Sequence, residues 1–161
     1  MRCLFAFCLT CIFLTPVSAQ TWRTVTELDA GSGKKLATMI VMATLTEGVY
    51  FRCGSENSFL MSVVMKNKND KSLGATGTLV STVGDNEALR LTGISYSHNA
   101  QYIGFKADDL RVRDFVSAIS TMTGVGPLRF RVEAAEVNLS FATGLAGAKE
   151  AAANFLKTCS R

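Results

Sequence analysis

The chain contains a single histidine, His98. A histidine-based metal site or a Ser-His-Asp triad would have to be built around that one imidazole. His98 lies in Ser97-His98-Asn99-Ala100, turn chemistry between two strand-like runs. It reads as a solvated turn residue, with a ligand-binding loop residue and a catalytic base as the sharper alternatives. Charge of one sign is missing in any excess, with 17 Lys and Arg against 13 Asp and Glu. So small an imbalance leaves no footprint for nucleic acid. The glycine-rich run at residues 30–35 fails as a phosphate loop, because Leu28 stands in place of the first glycine and Lys35 in place of the hydroxyl. It reads as a flexible, basic turn. The close carboxylates, Asp108 with Asp109, Asp85 with Glu87 and Glu133 with Glu136, are accounted for by a helix start, a turn and a hairpin. No acid/base pair for glycoside hydrolysis stands out. The sequence assigns no catalytic residue, no cofactor and no metal ligand.

Long apolar stretches are also scarce. The one at residues 3–15 falls short of the roughly 20 residues a membrane span requires, and no later segment reaches that length. With Arg2 before it and Pro16, then Val17-Ser18-Ala19, after it, the stretch reads as a secretory signal cleaved before Gln20. The mature protein is then expected to be soluble, in the periplasm or secreted. Three of the five cysteines, Cys3, Cys8 and Cys11, leave with the signal, and loss of Arg2 leaves 16 Lys and Arg against 13 acids, a net charge of +3. Cys53 and Cys159 remain, and two cysteines in an oxidising compartment read first as one disulfide. Zinc is thereby left without thiolate ligands.

What is present is a regular alternation. In residues 48–54, Val49, Phe51 and Cys53 alternate with Tyr50 and Arg52, which makes a strand with Cys53 on its core side. From Leu145 onward, Leu145, Ala148, Ala152, Phe155, Leu156 and Cys159 recur at spacings of three and four. This predicts an amphipathic helix with Thr143-Gly144 at its N-cap and Lys157 on its wet side. The two cysteines can meet only if that helix lies across the core face of the sheet. Residues 38–45 form a continuous apolar run, as a strand covered on both faces would. Residues 58–66 complete a hairpin with the Cys53 strand through the turn at 54–57, and residues 66–72 form a solvated loop. Further strands are expected at 77–83, 88–96 and 101–106. A helix over 108–122 follows, capped by Asp108 with a stripe of Leu110, Val112, Phe115, Val116, Ile119 and Met122, and then a hairpin over 127–143. No linker, repeat or composition break divides residues 20–161, so they make one domain. Its class is α+β, a mainly antiparallel sheet or sandwich with two helices, the C-terminal helix tied to the sheet by the disulfide.

On the surface, Arg129 and Arg131 alternate with inward residues of their strand and point outward, while Arg111 and Arg113 lie one helix earlier. They form a solvated face, or else a patch for a small anionic partner. Met39, Met42, Met61 and Met65 read as core filler. Phe141, Gly144, Leu145, Ala148 and Cys159 together resemble the C-terminal pattern of small exported proteobacterial domains, the type VI secretion-associated VasI kind and, more distantly, invasion-associated periplasmic proteins. The resemblance covers roughly the last twenty residues. It implies a bacterial periplasmic setting. The expectation that follows is a non-enzymatic binding or accessory protein of the bacterial envelope, associated with secretion or virulence. An inhibitor of a secreted enzyme, or a small hydrolase using His98, is the alternative. The partner would be another protein of the envelope or host, with no nucleic acid and no membrane span.

Overall fold

A computed structural model describes residues 21–54, 58–66, 73–84, 86–123, 126–135 and 137–159. The expected signal, residues 1–19, lies outside them, as do the loop at 67–72 and parts of the turns expected at 54–57 and 124–127.

Strand alternation is cleanest in β8 (Leu128–Ala134), where Leu128, Phe130 and Val132 are buried and Arg129, Arg131 and Glu133 are exposed. Eight other strands lie among the described residues: β1 (Arg23–Leu28), β2 (Lys35–Met42), β3 (Glu47–Cys53), β4 (Phe59–Lys66), β5 (Thr76–Val83), β6 (Asn86–Ser97), β7 (Tyr102–Asp108) and β9 (Val137–Thr143). All neighbours are antiparallel, in the order β1-β2-β3-β4-β7-β6-β5-β8-β9, and the sheet curls into a half-barrel. The helices α1 (Arg111–Thr121) and α2 (Ala148–Cys159) pack against each other. α2 lies over β1 and β2, and α1 over β4 and β6.

One hydrophobic core fills the concave side. Phe51 stacks with Trp22 and meets Phe115, at 6.0 and 5.9 Å between ring centroids, and Phe59 meets Phe155 at 6.3 Å. Cys53 and Cys159 are bonded, with Cα atoms 5.9 Å apart, so the disulfide ties α2 to the sheet as the two apolar faces require. The α+β class is therefore the observed one, realised as a single curved sheet.

Several local expectations are corrected. β1 is a strand that its composition does not announce: it is an edge strand whose side chains are almost all exposed, held by pairing along β2. Asp108 does not cap α1, because the β4 ladder claims it opposite Leu60. The N-cap is Leu110, without a side-chain capping bond and 67 % exposed rather than part of the buried stripe, and Asp109 before it accepts the Arg111 N–H at 2.8 Å. α2 begins at Ala148, not at Leu145, since Thr143 remains in β9. The turn into it needs Gly147, whose φ is +73° and whose missing Cβ would lie 2.7 Å from the Trp22 carbonyl oxygen. The run at 38–45 is covered on one face only: Met39, Val41 and Ala43 are buried, whereas Ile40 is half-buried and Met42 exposed.

Candidate binding site

Residues directly opposed in an antiparallel ladder share a face. On the convex side, Ile40, Tyr50, Ser62, Lys106 and Ile94 form one such row, and Met42, Gly48, Val64, Gly104 and Tyr96 form the next. Gly104 shapes the second row, since any Cβ there would collide with the Tyr96 ring. The ring therefore lies flat over Gly104 and carries its hydroxyl across to β4 and β3. There it meets Tyr50 Oη at 2.7 Å and Ser62 Oγ at 2.8 Å, and His98 Nδ1 approaches it from the turn at 3.2 Å. Lys106 Nζ sits 5.1 Å from the ring centroid. Burial pushes the Tyr96 hydroxyl well above the ordinary phenol range. The bond with Ser62 works against that rise, and the bond with Tyr50 adds to it.

Beside this cluster lies a cleft of about 390 Å³. Ile40, Met42, Val64 and Tyr50 make its floor, His98, Asn99 and Tyr102 its wall, and Thr38 and Arg52 its polar end. Its volume falls within the range of ligand pockets, roughly 300–1,000 Å³. None of the lining residues is a carboxylate. Arg52 reaches Glu27 only at 3.9 Å, from the β1 side. The wall is braced at the far end, where the Tyr102 hydroxyl donates to the Leu45 carbonyl at 3.1 Å, and the Leu45 side chain beside it is 93 % exposed. The apolar floor thus continues onto a protruding leucine. A second hollow, about 470 Å³ between β1 and α2, is lined by threonines, Asn154, Lys35 and Lys157 and has no apolar floor.

The arginines singled out from the sequence are placed differently from one another. Arg129 and Arg131 are exposed on the convex side of β8. Arg131 pairs with Glu133 at 2.6 Å, and Arg90 with the same carboxylate at 3.1 Å. Val80, opposed to both arginines in the ladders, lies between them and is only 2 % exposed. Arg111 forms an ion pair with Asp109 at 2.7 Å and donates to the Arg90 backbone carbonyl at 3.3 Å. Arg113 lies apart, 5.9 Å from the Phe59 ring centroid. The Asp109 carboxyl is held below its usual range by the hydrogen bonds from Arg111.

His98 is exposed, with Tyr50 and Tyr96 at ring-centroid distances of 5.8 and 5.9 Å. No cluster of three or more metal-ligating side chains occurs among the described residues. No helix among them is long and apolar enough to cross a membrane. The cleft is the feature that reading the sequence missed. Its signal was the even-numbered apolar residues of β2, Ile40 and Met42, which a strand with one solvated face has no need of. No protein-family model matches the chain, and no curated protein and no solved structure matches it significantly.

Proposed function

We propose that this chain is an exported, non-enzymatic binding or accessory protein of the bacterial envelope, periplasmic or secreted after loss of residues 1–19, and that its convex sheet face takes a protein partner. The observation that carries the reading is an apolar, aromatic-lined cleft on the outer side of a sheet whose other side already holds the core. Such a patch on a folded domain marks an interaction site. The disulfide between β3 and α2 suits an oxidising compartment. Arg129 and Arg131, farther along the same convex face, act as a charged rim that steers an acidic partner. An inhibitor of a secreted enzyme is the same reading with that enzyme as the partner. Against a hydrolase built on His98 stands the burial of Ser62, the serine hydroxyl linked to it through Tyr96: at 0 % exposure it is out of a substrate's reach.

The test is capture from an envelope extract of the source organism by three proteins of equal melting temperature. These are the parent, the pair Met42→Glu with Leu45→Glu, and the pair Arg129→Glu with Arg131→Glu. A partner held by the parent should be lost by the first pair and should associate several-fold more slowly with the second. Capture unaffected by either pair would remove the convex face from consideration.

A further inference from the structure

Resting on that reading of the convex face, we infer that the group seated in the cleft is the C-terminal residue of the partner polypeptide. Its apolar side chain lies on Ile40, Met42 and Val64, and its carboxylate meets Arg52 at the polar end. The lining divides into an apolar floor and a donor-bearing end, with no acidic group among its members. Arg52 follows Tyr50 by two residues on one face of β3, about 7 Å along the strand. The distance from floor to cation is therefore the size of a single residue.

Most protein surface groups satisfy half of this pattern. An internal leucine or phenylalanine offers an apolar body without charge. An internal aspartate offers charge on a short polar stem. A chain terminus ending in an apolar residue carries both on one residue, and its carboxylate is an acceptor that a guanidinium can bind through two parallel hydrogen bonds. Glu27 is the carboxylate that Arg52 pairs with, at 3.9 Å, and Asp29 lies within its electrostatic reach. Removing the Glu27 charge should strengthen a carboxylate's hold.

The probes are fluorescein-labelled hexapeptides Gly-Ser-Gly-Ser-Ala-Leu, identical except for a free or an amidated C-terminus, titrated by fluorescence anisotropy. The free acid should bind at least tenfold more tightly than the amide. Arg52→Gln should erase that difference while leaving the amide's weak affinity in place, and Glu27→Gln should widen it. Both side chains are exposed, so neither variant endangers the fold. Equal binding of acid and amide would overturn the inference, as would acid-selective binding indifferent to Arg52→Gln. So would binding of N-acetyl-leucine as tightly as the peptide, which would make the cleft a small-acid site. Should the peptides fail while the Met42→Glu, Leu45→Glu pair still loses a captured protein, the ligand class falls and the convex-face reading stands.

Discussion

Tyr96 ties the convex face together, because one hydroxyl serves β3, β4 and the β6–β7 turn at once. Tyr96→Phe leaves the buried Ser62 hydroxyl without its short partner, and the cost should be about 1–3 kcal/mol in urea unfolding. The pH dependence has a definite sign. Tyr96 keeps its proton in the folded chain above the ordinary phenol value of 10.0. Below that pH its contribution to stability is complete, and as the pH climbs beyond it the unfolded chain ionises first and stability falls. The parent should therefore lose more stability between about pH 9 and about pH 11 than Tyr96→Phe does; equal losses would mean that Tyr96 is not shielded. On the other side of the sheet, Phe155 is fully buried against Phe59 while Lys157 is exposed. Phe155→Asp places an unpaired carboxylate in the core and should cost several kcal/mol, and Lys157→Asp should change the melting temperature by a degree or two at most. Similar melting curves would show that the α2 face is misassigned.

At the scale of elements, the disulfide between β3 and α2 closes a span of 106 residues. Chain entropy then allows up to about 4–5 kcal/mol of stabilisation. Reduction should lower the melting temperature by about 10 °C or more, with an intact mass two hydrogens heavier. Free thiols in protein purified without reductant would contradict the pairing. This contact was legible from the sequence because both cysteines lie on periodic apolar faces, Cys53 with Val49 and Phe51, Cys159 with Phe155 and Ala152. β3, β8, β9 and both helices were legible for the same reason, whereas β2 read as a continuous apolar run and was expected to be covered on both faces. β1 was not, since an edge strand with Arg, Thr and Glu at most positions has no apolar period and is specified by its partner. The helix starts shifted inward because strand ladders outcompeted local capping, Asp108 going to β4 and Thr143 to β8. The cleft itself required knowing which strands are neighbours. Ile40, Tyr50 and Val64 come together through consecutive hairpins, but His98, Asn99 and Tyr102 arrive only because β7 inserts beside β4.

The molecule as a whole has two unlike sheet faces. The concave one is filled by helices and sealed by the disulfide, and the convex one mixes apolar floor, buried hydroxyls and cationic rim. The central claim is that the convex face is where the protein meets its partner. Hydrogen–deuterium exchange of the parent, with and without the captured partner, tests this most directly. New protection should fall on residues 38–42, 48–52, 60–64 and 96–102, with α1, α2 and the β1–α2 hollow unchanged. Protection confined to the helices or to the hollow lined by Lys35 and Lys157, with the convex strands unaltered, would contradict it.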